Sequence, residues 1–120
     1  MGVFFRDQRP KCVVFHNGPS GVAGIPKDVL EQMLPVTAKR RARVRVYFAS
    51  AKGEGPAFTA FGFNDATPLP AVAMHNTAKD KRFAMRPDVV FSEGNVDAFI
   101  GRYLKGSLPG QPGHGARREL

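Results

Sequence analysis

The chain has 120 residues, enough for one domain whose core removes roughly two thirds of the unfolded chain's surface from water. Hydrophobic residues make up 42% of it, including ten phenylalanines, yet no run approaches the ~18 consecutive apolar residues of a membrane span, which excludes a membrane-spanning chain. The net charge of +8 raises the question of a polyanionic partner, and the single cysteine, Cys12, excludes an intrachain disulfide and a CxxC pair.

The first predicted element is a strand over residues 11–16, a β-rich run stopped by the turn formers Asn17-Gly18-Pro19-Ser20-Gly21. Cys12 lies inside it, where a lone cysteine reads as a small core hydrophobe. Pro26 then suits a first helical position, Asp28 the first turn, and Val29, Leu30, Met33, Leu34 and Val36 share one face. This predicts a helix to about Arg40, kinked at Pro35 because proline removes one backbone donor. The basic cluster Lys39-Arg40-Arg41-Ala42-Arg43-Val44-Arg45 falls where that helix should end, a place where cations oppose the helix dipole.

Residues 43–49 alternate, with Val44, Val46 and Phe48 on one side and Arg43, Arg45 and Tyr47 on the other, as in a strand near a sheet edge. A short helix follows over residues 56–63, opened by Pro56 and carrying Ala57, Phe58, Ala60 and Phe61. In Thr67-Pro68-Leu69-Pro70-Ala71-Val72-Ala73-Met74, Pro70 stands at the first residue of a strand over residues 71–74, where the ladder asks for no donor. Its place after a short aromatic helix and before a hairpin makes a cis Leu69–Pro70 peptide the expected form, with the N–H and C=O of Leu69 turned outward to pair with an extended chain. A polar turn through residues 76–80 leads to a second hairpin strand over residues 81–85. The last helix is predicted from Asn95, as N-cap, to Lys105, with Val96, Phe99, Ile100 and Leu104 on one face and Gly106 ending it. Residues 107–120 are rich in glycine and proline and read as a flexible tail beyond a domain of residues 1–106.

This βαβαββα order is α/β with a mixed central sheet, parallel first and antiparallel last. With Pro70 at the start of the hairpin, it resembles the thioredoxin fold. It is similar in particular to the non-catalytic, substrate-binding thioredoxin-like domains of the protein disulfide isomerase family. The residues that carry the likeness are Cys12-Val13-Val14-Phe15, Phe58-Thr59-Ala60-Phe61-Gly62-Phe63, Leu69-Pro70-Ala71-Val72, Lys81-Arg82-Phe83 and the final stretch from Asn95 to Gly106.

A redox-active relative needs two cysteines three residues apart at the first helix N-terminus, where the dipole favours thiolate. Counted from the first strand those positions are Ser20 and Ala23; counted back from Pro35 they are Lys27 and Leu30. Neither register holds a thiol, so this chain is expected to be redox-inactive and not itself an enzyme. What the resemblance implies instead is binding of unfolded or partner polypeptide, a chaperone-like role in protein folding. The family's apolar pocket maps onto Phe4, onto Ala60 with Phe61, and onto Met74; Ala60 departs from an aromatic, and Phe58 stands nearby to compensate. The expected peptide-binding residues are therefore Phe4, Phe58, Phe61, Leu69, Pro70 and Met74.

The resemblance also implies neighbouring thioredoxin-like domains in a parent protein of the endoplasmic reticulum lumen, with the signal peptide outside this chain. Arg117-Arg118-Glu119-Leu120 resembles the Lys-Asp-Glu-Leu retrieval signal, departing from it at Arg118. No cofactor is implied, and His16, His75 and His114 share no metal-ligand spacing with each other or with Cys12. His16 and His75 end strands expected to be neighbours, which would bring them close. Two other readings remain open. One is a small basic module binding nucleic acid or another polyanion through residues 39–45 and 79–82, against which stands the lack of an aromatic stacking motif. The other has Cys12 as a lone reactive thiol.

Overall fold

The computed structural model describes residues 9–76 and 78–106. Phe4, His114, the tail and the Arg117–Leu120 sequence lie outside the described residues. Four strands and three helices occur in the predicted order: β1 (Lys11–His16), α1 (Lys27–Arg40), β2 (Arg45–Ser50), α2 (Gly55–Ala60), β3 (Ala71–Asn76), β4 (Lys81–Ala84) and α3 (Glu93–Leu104), with one 3-10 turn at Val22–Gly24. The sheet runs β2-β1-β3-β4. β1 and β2 are parallel, with Lys11 opposite Arg45 and His16 opposite Ser50, while β3 lies antiparallel to both β1 and β4.

Strand alternation divides the core in two. Cys12 and Val14 of β1 and Val72 and Met74 of β3 face α1 and α3, where they pack with Met33, Val36, Val96, Phe99 and Ile100. Phe15 of β1 and Ala71 and Ala73 of β3 face the other way, against Phe58 and Phe63. The two long helices are tied by Asp97 of α3, which accepts from Lys39 Nζ and Arg40 Nε of α1, each at 2.9 Å. Burial pulls the Asp97 carboxyl upward, but the hydrogen bonds from Lys39 and Arg40 with their charges outweigh it and hold the pKa below the ordinary carboxylate value.

Several boundaries differ from expectation for local reasons. Helix α1 continues through Pro35 and then closes in a turn, with the N–H groups of Arg43 and Val44 both donating to the Arg40 carbonyl, so β2 begins at Arg45 rather than residue 43. Leu34, expected on the apolar face, is 57% exposed, since Val29, Met33 and Val36 alone line the stripe under the sheet. Helix α2 is one residue earlier and three shorter at its end than predicted; Gly62, at φ +87°, turns the chain out of it. The N-cap of α3 is Ser92, whose Oγ accepts from Asn95 N–H at 3.1 Å; Asn95 is inside the helix and its side chain donates to the Val90 carbonyl at 2.9 Å. His16 and His75 are at opposite ends of the sheet, because β3 is antiparallel to β1 and His75 pairs with Lys11. Their expected proximity is thereby corrected.

Candidate functional site

The parallel strands β1 and β2 end at His16 and Ser50, and at the same end β3 begins and β4 finishes. The carboxyl ends of parallel strands are where open α/β sheets form ligand crevices, since the loops there diverge. Each loop is pinned by its own polar side chains. His16 is buried, and its Nδ1 accepts the Gly18 N–H at 3.0 Å; burial lowers its pKa, which keeps the ring neutral and able to accept. Gly18 approaches the Gly24 carbonyl so closely that a side chain would clash, so this tight loop requires glycine. Ser50 Oγ accepts the Gly53 N–H at 3.1 Å. Asn64 and Thr67 exchange backbone and side-chain hydrogen bonds that set the turn into Pro68.

Among the recesses that the described residues form at this end, two are lined by predicted binding residues. The first, of about 230 Å³, lies between the segment Pro68–Leu69–Pro70 and the segment after β4, with Phe63, Val89, Val90 and Phe91 among its walls. Leu69 is 36% exposed and Val90 is 73% exposed, so its lip is apolar. Arg86 and Asp88 form a two-bond ion pair at the rim, at 3.2 and 2.9 Å. The Leu69–Pro70 peptide is cis, and among the described residues neither the N–H nor the C=O of Leu69 has a hydrogen-bond partner. The second recess, of about 300 Å³, is lined by Val13, Phe15, Ala49, Ala57 and Phe61 on the α2 side, with Ser20 and Glu54 at its polar side.

An aromatic cluster lies beside both. The Phe15 ring meets Phe58, Phe61 and Phe63 edge-on, with centroids 5.1, 5.8 and 5.9 Å away, and Phe58 and Phe63 are 5.2 Å apart. Such edge contacts suit the ring quadrupoles and fix the four side chains as one unit. Phe63 walls the first recess and Phe61 the second.

The predicted binding residues therefore do not converge on one pocket. Leu69 and Pro70 line the first recess and Phe61 the second. Phe58 is buried beneath the other rings and lines neither recess, so it does not replace the aromatic missing at Ala60. Met74 is wholly buried on the opposite face, among the side chains of α1 and α3, because its even position in β3 aims it there. Phe58 and Met74 are core residues. The sequence reading missed Phe63 and Val89-Val90-Phe91; the latter, an apolar triplet outside any predicted element, was the available signal.

Neither place expected of a redox pair carries a thiol, and Cys12 is fully buried mid-sheet, where desolvation pushes its thiol up to about 12. The lone-reactive-thiol reading is overturned by that burial. Among the described residues no three His, Cys, Asp or Glu side chains are placed to share a metal ion, and no helix is long and apolar enough to cross a membrane.

No protein-family model and no curated protein sequence matches this chain. Solved structures do. The bb fragment of ERp72 superposes with a TM-score of 0.71 at 19% identity, over 86% of this chain and 44% of the fragment. The Trx4 domain of ERdj5 gives 0.57 at 13% identity, covering 82% of both chains. Form II of ERdj5 gives 0.55 at 14% identity over 83% of this chain and 13% of that one. The present chain thus spans less than half the length of the ERp72 fragment. These superpositions show a thioredoxin-like fold.

Proposed function

We propose that this chain is a redox-inactive thioredoxin-like domain of the protein disulfide isomerase type, which holds unfolded or partner polypeptide at the carboxyl end of its sheet. The observation that carries the reading is the unpartnered backbone of Leu69 on the lip of an apolar groove. An extended peptide pairing with the Leu69 N–H and C=O would gain main-chain hydrogen bonds, while a large apolar side chain entered between Leu69, Val90 and Phe91. A site of this kind reads backbone and bulk rather than sequence, which suits varied clients.

The sequence holds a single cysteine and so no dithiol, which supports a holding role with any thiol chemistry belonging to other domains. Its likeness to one part of the longer ERp72 fragment supports neighbouring thioredoxin-like domains in the parent protein. A location in the endoplasmic reticulum lumen belongs to the same proposal.

Amide chemical-shift mapping with an uncharged apolar peptide tests it. Shifts are expected at Phe63, Leu69, Val90 and Phe91, and Val90→Asp should weaken binding by roughly tenfold, the cost of setting an unpaired charge against apolar surface. Shifts confined to the opposite end of the sheet, or none, would refute the assignment.

A further inference from the structure

The asparagines of the described residues differ in how their side chains are held. Asn64 Oδ1 accepts the Ala66 N–H at 2.8 Å, Asn76 Oδ1 accepts the Lys79 N–H at 3.2 Å, and Asn95 Nδ2 donates to the Val90 carbonyl at 2.9 Å. Asn17 is exposed just past the end of β1, and among the described residues its side chain has no hydrogen-bond partner. Its amide carbon is free to swing. The residue after it is held instead: the Gly18 N–H donates to His16 Nδ1 at 3.0 Å, and the Gly18 backbone lies against the Gly24 carbonyl with no room for a β-carbon. Glycine also leaves its own nitrogen unshielded, whereas Asn64, Asn76 and Asn95 precede Asp65, Thr77 and Val96, which all carry a β-carbon.

A mobile amide carbon beside a fixed backbone nitrogen favours ring closure within the chain, because the reacting groups need no encounter. A general base assists such a step when it stands within about 2.6–3.2 Å of the group whose proton it takes. His16 Nδ1 meets that distance from the Gly18 nitrogen. The ring is buried and neutral, and because Nδ1 accepts from Gly18, its proton is on Nε2 and the Nδ1 lone pair faces the Gly18 N–H.

We propose that Asn17-Gly18 is a self-modifying site, at which His16 is the general base for deamidation through a cyclic imide. The Gly18 nitrogen attacks Asn17 Cγ and forms the new N–C bond, while its proton passes to His16 Nδ1. His16 returns that proton to Asn17 Nδ2 as the Cγ–Nδ2 bond breaks, and ammonia leaves. Water then opens the imide at either carbonyl, giving aspartate or isoaspartate with no net oxidation or reduction. Either product sets a carboxylate in the wall of a recess of about 450 Å³ that Lys52 also lines. Isoaspartate in addition lengthens the backbone by one carbon in a loop with no room for a β-carbon, and so parts Gly18 from His16 and Gly24. The reaction is independent of the groove, since it needs no bound peptide.

The test is incubation of the full chain at neutral pH and physiological temperature, native and in guanidinium chloride, followed by peptide mass mapping. Asn17 is expected to convert several-fold faster in the native chain, where the base is in place, to a mixture of aspartate and isoaspartate. Asn64, Asn76 and Asn95 should persist. His16→Asn puts a carbonyl oxygen in place of Nδ1, an acceptor for the Gly18 N–H that is no base, and should slow native conversion by roughly tenfold or more. Native conversion no faster than denatured, aspartate as the sole product, an unchanged rate in His16→Asn, or equal conversion of Asn64, Asn76 or Asn95 would each overturn the proposal. If His16→Asn fails to fold, the native-to-denatured ratio of the unaltered chain decides.

Discussion

The two faces of the sheet are built from the same strands yet are covered very differently. On one side α1 and α3, with 14 and 12 residues, reach about 18–21 Å at ~1.5 Å per residue, as long as the six-residue strands they cover. That face is closed, and Met33, Met74, Phe99 and Ile100 are essentially without solvent contact. On the other side α2 has six residues and reaches only about 9 Å. Four phenylalanines fill what the short helix leaves, and a recess remains beside Phe61. The length of the covering helix thus decides whether a face becomes sealed core or accessible surface.

The sharpest way to break that contrast is to delete one phenyl ring from each side. Phe99→Ala should lower unfolding free energy by about 3–5 kcal/mol, because a fully buried ring leaves a cavity the two long helices cannot close, whereas Phe61→Ala should cost about 1 kcal/mol. Urea denaturation measures both, and equal costs would mean that the α2 side is as tightly packed as the other.

A smaller effect probes the α1–α3 seam. The folded Asp97 carboxyl lies below its ordinary value of 3.8, so its stabilisation is present above that value and is lost as pH falls through the folded one. Asp97→Asn should cost about 1–2 kcal/mol at neutral pH and shrink the acid-induced loss of stability, read from denaturation at successive pH values. An unchanged acid limb would separate Asp97 from acid unfolding.

The smallest effect concerns the loop behind the recesses. Because burial lowers the pKa of folded His16, the unfolded chain takes up a proton first as pH falls below the ordinary 6.5, and stability should decline from there toward the folded value. Protonation also turns Nδ1 into a donor facing the Gly18 N–H, so exchange of that amide should quicken over the same interval. His16→Asn should remove the dependence; persistence of the decline in that variant would point to another group.

Much of the fold was legible because its signals are local. The turn cluster after His16, the helical spacing of Val29, Met33 and Val36, and the alternation of Val44, Val46 and Phe48 depend on neighbours a few residues away. The site was legible only in part. Leu69 and Pro70 carry a local backbone signature, but Val90 becomes a groove wall only because the segment after β4 crosses to the start of β3.

The amino-acid sequence by itself determined the order of elements, the two alternating sets of core side chains and the absence of a dithiol. Tertiary structure alone decided which set each face received, for periodicity shows that Phe61 and Met74 are apolar without telling which covering helix is long enough to seal its side. It also sent His16 and His75 to opposite poles and divided the basic cluster, tying Lys39 and Arg40 to Asp97 while leaving Arg41 and Arg43 exposed. Both outcomes follow from strand direction and helix docking, which are set by contacts between residues far apart in the chain.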